Sequence, residues 1–287
     1  MEKSHFIVSP MGQDVSLQQG ETYTGSVKLV NPADTRDNLN YTVSVVPYNV
    51  SDTNYTANLI DQHNRSEITK WVKVDSPSGS LKPGETTNID FSINVPENAP
   101  SGGQYFALLI GQSPKERKSE DIEIQNIFQI ASIVFAKVDG EIIHDGAILQ
   151  NDIPNFSFTT PVTVGTMLQN NGNVHSVAGI IIEAKDVFTG QVIFSSEEKT
   201  PGSLNEVIMP ETTRYSSHEI SNLPAIGIVH ISQTIHFEGQ DSVNEQDIII
   251  CPIWFLLLLI LAIIALIVLT IGSIIHKNKK KTTSAMQ

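Results

Sequence analysis

The chain has 287 residues, and its 18 Lys and Arg against 31 Asp and Glu give a net charge of −13. Four of the lysines, Lys277, Lys279, Lys280 and Lys281, stand in the last eleven residues, so the part before Ile253 carries 14 basic and 31 acidic residues, a net −17, which repels nucleic acid and anionic lipid head groups. The single cysteine, Cys251, excludes an intrachain disulfide, so the fold must hold by packing alone.

Met1-Glu2-Lys3-Ser4-His5 leads straight into Phe6-Ile7-Val8 without the apolar core of a secretory signal. An exterior amino terminus then implies that a leader has been removed or that the start lies elsewhere. From residue 5 to 113, short alternating runs are separated by turn residues, the pattern of an antiparallel sandwich. Thr22 to Asn31 sets Tyr23, Gly25, Val27 and Leu29 on one face and Thr24, Ser26 and Lys28 on the other. Tyr41 to Val46 turns Tyr41, Val43 and Val45 inward, and Pro47 stops its extension as a central strand. Residues 49–66 are polar and irregular, with sequons at Asn49, Asn54 and Asn64 in addition to those at Asn40 and Asn155; chance accounts for them in an Asn-rich chain. Runs at Ile68 to Val74, Thr87 to Val95 and Gln104 to Gly111 follow. Lys115 to Glu123 reads as a solvated charged loop, and Ile124 to Val138 as a long strand closing the first domain.

An internal repeat sets the domain count. LKPGETTNIDFSINVPENAP in the first half parallels VIMPETTRYSSHEISNLPA in the second, and SVKLVNPADTRDNLNYTVSVV parallels VTVGTMLQNNGNVHSVAGIIIEAKD. Proline fixes φ and the threonines favour a strand, so P-(G)-E-T-T marks a crossing from one sheet to the other rather than a ligand site. The predicted fold class is therefore all-β, two tandem immunoglobulin-like β-sandwiches followed by one carboxy-terminal transmembrane helix. The expected divisions are residues 1–138, a linker at 139–154, a second sandwich at 155–247 ending in a polar stalk, a membrane segment at 248–276 and a basic tail at 277–287.

Ile253 to Ile275 contains no charge, and at ~1.5 Å per residue such a helix spans about 34 Å, enough for a hydrocarbon core of roughly 30 Å. Trp254 stands at one boundary and Lys277, Lys279, Lys280 and Lys281 follow the other. The positive-inside bias places the tail in the cytoplasm and the bulk outside, at the cell membrane.

Catalytic patterns are not found: the sequence has no HExxH, CxxC, GxSxG or phosphate loop. His230 and His236 share a strand face but lie ~20 Å apart along it, too far to share a metal. The expectation is a binding protein, not an enzyme, with no cofactor and no metal. Trp71, flanked by Val72 and Val74, reads first as a core residue of a sandwich. If a sugar is bound, Trp71 and Tyr105 are the aromatics that would stack on it.

FIVSP, GETYTGSVKLVNP, WVKV, LKPGET and VPENAPSGGQYFALLIG in the first half, with QNNGNVH, MPETTR and PIWF in the second, resemble the WxL-interacting family of Gram-positive cell-surface proteins. The resemblance implies two immunoglobulin-like domains on a membrane anchor, peptidoglycan binding by the first, a host or WxL-protein partner at the surface for the second, and a role in adhesion or scaffolding at the cell wall. It carries over no binding residue. The competing reading is a tail-anchored cytosolic adaptor of the major-sperm-protein type, which would put the basic tail on the far side of the membrane and an acidic surface where such adaptors need basic residues.

Overall fold

A computed structural model describes residues 6–50, 53–60, 64–113, 128–196 and 204–284. The first unit holds β1 (Ile7–Ser9), β2 (Gly12–Leu17), β3 (Thr22–Val30), β4 (Leu39–Pro47), β5 (Asn49–Val50), β6 (Ala57–Asn58), a 3-10 helix (Asn64–Lys70), β7 (Val72–Val74), β8 (Ser78–Leu81), β9 (Thr86–Asn94), β10 (Gly102–Gln112) and β11 (Gln129–Val138). The second holds β12 (Gly146–Asp152), β13 (Phe156–Ser157), β14 (Val162–Asn170), β15 (Ser176–Asp186), β16 (Val192–Ser195), β17 (Leu204–Ile208), β18 (Thr212–Ile220), β19 (Gly227–Phe237) and β20 (Gln240–Ile250), and α1 (Ile253–Ser284) follows.

The fold is all-β, two immunoglobulin-like sandwiches and one helix. In the first sandwich a sheet ordered β1-β3-β9-β7 faces one ordered β2-β11-β10-β4-β8. In the second, β12-β14-β18 faces β13-β20-β19-β15, and β16 and β17 share the outer edge of β15. Alternation explains most strands: in β3, Val27 and Leu29 are buried while Thr24, Ser26 and Lys28 are exposed. β10 is the exception, buried along nearly its whole length. It sits in the middle of its sheet, the 3-10 helix packs against it, and Tyr105 on it faces the second sandwich. A strand covered on both faces loses alternation and reads as a continuous apolar run. Each sandwich has its own core, around Phe91, Phe106 and Leu108 in the first and Ile180, Ile231 and Ile235 in the second.

The repeated proline segments do cross between sheets. Lys82-Pro83-Gly84-Glu85 carries the chain from β8 in one sheet to β9 in the other, and Met209-Pro210-Glu211 does the same from β17 to β18. Each corner is held by a buried asparagine from the Asn-rich segment of the same repeat. Asn31 donates through Nδ2 to the Leu81 carbonyl at 3.0 Å, and Asn170 donates to the Ile208 carbonyl at 2.9 Å. The two motifs of the repeat thus meet in space.

Two expected divisions move. Residues 146–152, read as linker, form β12 and pair with β14; alternation of one short run beside Pro154 was too weak a signal to separate strand from loop. Residues 239–247, read as a polar stalk, lie mostly in β20, which pairs with β19 along eleven register positions up to Ile250. Its early inward positions, Ser242, Asn244 and Gln246, are polar as well, which hid the strand. The loop expected at Lys115 to Glu123 and the first residues of the strand expected from Ile124 fall outside the described residues. β11 accounts for the rest of that strand.

Candidate functional site at the junction of the two sandwiches

The residues most densely bonded between distant parts of the chain lie where the sandwiches meet. The turn after β14, Asn171 to His175, supplies the second sandwich's side. Its Asn173 carbonyl accepts from Gly103 N at 2.7 Å and from Arg65 Nη1 at 3.0 Å. The Asn173 side chain holds the connecting segment, donating to the Glu141 carbonyl and accepting from Ile143 N, both at 2.8 Å. Gly102 approaches so closely, at φ +99°, that a Cβ there would meet the Asn173 carbonyl at 2.6 Å, which is why the strand opens with glycine.

Beside this turn, His175 N donates to Tyr105 Oη at 2.8 Å, and His175 Nε2 lies 2.9 Å from Asp14 Oδ1 on β2. Phe135 on β11 completes the cluster, with ring centroids 6.0 Å from Tyr105 and 5.1 Å from His175. Burial pushes the Tyr105 hydroxyl far above the usual phenol range, so it stays protonated. Burial also lowers the His175 pKa, against the opposing pull of Asp14.

A second set of contacts comes from the irregular segment after β5. Tyr55 accepts from Met209 N at 2.8 Å and hydrogen-bonds the Thr212 hydroxyl, while the Arg214 guanidinium lies 4.8 Å from its ring centroid. The Thr53 carbonyl accepts from Tyr215 N at 2.9 Å, and Arg65 pairs with Glu211. Behind Tyr55, Glu206 accepts from Ser216 Oγ and faces Arg214 and His218, both at 3.4 Å. Burial lowers the His218 pKa, with Glu206 acting the other way. Between the two sets lies a cavity of about 30 Å³ lined by Tyr48, Arg65, Tyr105, Met209 and Thr212. That is room for about two waters and not for a sugar.

The sequence-predicted residues fall in different places. Tyr105 is 1 % exposed and belongs to the junction, so it offers no open face for stacking. The run that suggested an accessible aromatic is apolar because both faces of β10 are covered. Trp71 is half-buried, directly after the 3-10 helix, and packs against the first core. Trp254 is 55 % exposed in the first turn of α1, and the helical backbone runs on through Lys277, Lys279, Lys280 and Lys281 to Ser284. Among the described residues no group of His, Cys, Asp and Glu could hold a metal. His230 and His236 pair separately with Asp247 and Asp241, each at 2.7 Å.

Sequence reasoning missed the junction itself. Arg65 and Tyr55 sit inside sequons and were read only as such, and Asp14 and His175 are 161 positions apart. The signal that could have found it is the QNNGNVH segment, too elaborate for a plain turn.

One feature of the second sandwich leaves a surface open. β9, in the first, is paired on both sides, by β3 and β7. Its counterpart β18 is an edge strand, paired by β14 alone among the described residues. Tyr215 N points to the open side and is met by the Thr53 carbonyl. Ser217 and Glu219, at the same alternation, are exposed beyond it.

No protein-family model matches the chain, and no curated protein does. Solved structures with some likeness include the class 5 fimbriae chaperone CfaA, 14% identical over 84% of this chain and 98% of that one at a TM-score of 0.40. A chain of the CsuC-CsuE chaperone-tip adhesion subunit complex of Acinetobacter baumannii is 13% identical over 85% and 98%, at 0.41. The E. coli chaperone DraB is 12% identical over 84% and 96%, at 0.37. Likeness at this level says nothing of ligand or partner. What the chain itself has is a two-sandwich body followed by a helix, Ile253–Ile274, long and apolar enough to cross a membrane.

Proposed function

We propose that the protein is a membrane-anchored binding and adhesion protein of the cell surface, not an enzyme, with its two sandwiches outside and the basic tail in the cytoplasm. In this reading it belongs with the WxL-interacting proteins: the first sandwich contacts peptidoglycan and the second takes an extended segment of a surface-protein partner. The observation that carries the protein-binding half is the edge of β18. Its outward amides beyond Tyr215 form a short template for an added strand, where main-chain hydrogen bonds supply affinity and alternate side chains supply selectivity. The acidic body, net −17 ahead of the helix, favours neutral or cationic wall polymers over nucleic acid.

Ser217→Pro tests this reading. The Ser217 amide shares the outward alternation of Tyr215, so proline removes a donor from the open side and leaves the β14 ladder intact. In cells carrying the full chain with a photo-crosslinking residue at Glu219, the expected outcome is a surface-protein adduct that Ser217→Pro abolishes, with retention on purified wall sacculi unchanged. An adduct of equal yield in the variant sinks strand addition at β18. A body protected from protease added to intact cells sinks the exterior reading altogether and favours the cytosolic adaptor.

A further inference from the structure

The loops at one end of the second sandwich are rich in apolar residues and carry no charged side chain. β15 ends there at Asp186, β19 begins at Gly227, β20 ends at Ile250 and β13 lies beside it, as the register Asp186↔Val229↔Ile248 and the pairs Gly227↔Ile250 and Phe156↔Ile249 require. β14 also begins, and β18 also ends, at paired residues, Val162↔Ile220. The loops that cap this end are 153–161, 187–191, 221–226 and 251–252, and none contains Asp, Glu, Lys or Arg, in a body that carries 45 such residues before the helix. Instead they expose large apolar side chains: Phe188 at 79 %, Phe158 at 52 %, and Phe156, Val187 and Ile226, with Ile249 on the adjoining strand. Phe156 and Phe158 stack edge to face with ring centroids 4.7 Å apart. Asp186, at the base of one of these loops, accepts from Phe188 N, Thr189 N and the Thr189 hydroxyl, so its carboxylate braces the turn that projects Phe188. Beyond that row Lys185 pairs with Glu183 at 2.5 Å and His230 with Asp247 at 2.7 Å, and Glu219 stands one position in from the end of β18.

This end is also where α1 leaves. Only Cys251 and Pro252 separate β20 from the helix, and two residues span at most ~7 Å. Cys251 N is tied to the Ser157 carbonyl at 3.0 Å, and the Pro252 carbonyl accepts from Phe255 N at 3.0 Å, so the connection has little slack. A bilayer crossed by α1 from Ile253 must therefore pass within reach of Phe156, Phe158 and Phe188. We propose that this end of the second sandwich is a lipid-contact platform, seated in the head-group and acyl boundary of the same bilayer that holds α1. Aromatic and branched side chains enter to a depth of roughly 5–10 Å, as interfacial anchors do, and the loops exclude charge because charge resists that depth. Without Lys or Arg in these loops, the contact draws nothing from anionic head groups. It belongs to the neutral glycerol and acyl region and is independent of salt. The proposal rests on the reading of α1 as membrane-spanning.

The test uses the full chain in phosphatidylcholine vesicles, with Cys251→Ser and a single NBD label introduced by Phe188→Cys, Phe158→Cys or Ile60→Cys. Ile60, on the first sandwich, is 87 % exposed and serves as the distant control. Lipids brominated near the head-group end of the acyl chain are expected to quench the labels at 188 and 158 at least about twofold more than the label at 60. The same quenching is expected at 0.1 and 1 M salt, where the Debye length falls from about 10 to 3 Å. With Trp71→Phe removing the other indole, Trp254 reports on the anchor in the same samples. Trp254 quenched with labels at 188 and 158 behaving like that at 60 overturns the platform while leaving the anchor in place. Trp254 unquenched overturns the anchor and the platform together. Quenching that needs phosphatidylserine and is lost in salt overturns the neutral contact.

Discussion

At the scale of single residues, the two buried asparagines explain more of the repeat than its hydrophobic pattern does. Asn31 Nδ2 reaches two carbonyls, of Leu81 and Asp37, and Asn170 Nδ2 reaches those of Val174 and Ile208, with Gly172 N donating back to its Oδ1. Both are almost wholly buried, so removing the amide leaves main-chain carbonyls without partners inside the protein. Asn170→Ala is expected to lower stability by roughly 2–3 kcal/mol and Asn31→Ala by a similar amount, read from the urea midpoints of full chain in detergent. A loss below about 0.5 kcal/mol in both would mean that other groups hold the corners. The sequence displayed each half of this arrangement, an Asn-rich turn and a P-E-T-T corner, but not that they touch. Their separation along the chain, 50 positions in one sandwich and 38 in the other, is beyond what periodicity reports. Tyr105 is the opposite case: an aromatic in an apolar strand looks the same in sequence whether a second domain covers it or solvent does.

At the scale of elements, strands whose two faces differ were legible, and strands that depart from that pattern were not. β3 and β4 show clean alternation and fall where the pattern puts them. β20 begins with Gln-Asp-Ser-Val-Asn-Glu-Gln-Asp, and its early inward positions are held by polar contacts such as Asn244 Nδ2 to the Asn151 carbonyl at 2.5 Å, so hydropathy does not mark it. Its last residues do the packing: Ile248 and Ile250 are buried, at 0 % and 1 % exposure. A soluble fragment that ends at Asp247 loses both. It is expected to be less stable than one ending at Cys251 by about 3–6 kcal/mol, at roughly 1.5–3 kcal/mol for each buried isoleucine, a difference to be measured by chemical denaturation of the two fragments side by side. Equal stability would show that the edge of the ladder, not those two side chains, carries the cohesion of β20.

At the scale of the whole molecule, the junction makes the two sandwiches one body, and its histidine gives that body a dependence on pH. Burial lowers the His175 pKa in the folded chain, with Asp14 opposing and Lys137 assisting, below the value of about 6.5 that the unfolded chain keeps. As pH falls through that value the unfolded or separated form takes up the proton first. The contribution of His175 is therefore complete above about pH 6.5 and declines below it; buried His218 acts in the same sense. Small-angle scattering of the body ending at Cys251 is expected to show a fixed arrangement at pH 7.5 and a looser one at pH 5, the change being reduced by His175→Gln. A profile that is flat across this range in the unsubstituted protein, or unaltered by His175→Gln, would take His175 out of the account. The division into two sandwiches was legible from the repeat; that they are fastened to each other was not, since the fastening residues, Asp14, Tyr55, Arg65, Tyr105 and His175, are spread over three separate elements, an irregular segment and a turn and share no pattern.

The course of the chain through the second sandwich has a mechanical meaning. β12 enters at the end that meets the first sandwich, where Gly146 pairs with Asn170, and β20 leaves at the opposite end, two residues before the helix. A pull on the first sandwich against a fixed helix therefore runs lengthwise along the strands. The hydrogen bonds of an antiparallel pair lie across that direction, so the eleven register positions joining β19 to β20 bear the tension together instead of parting one after another like the teeth of a zip. The sandwich next to the helix is strung in shear, the loading under which a β ladder holds longest.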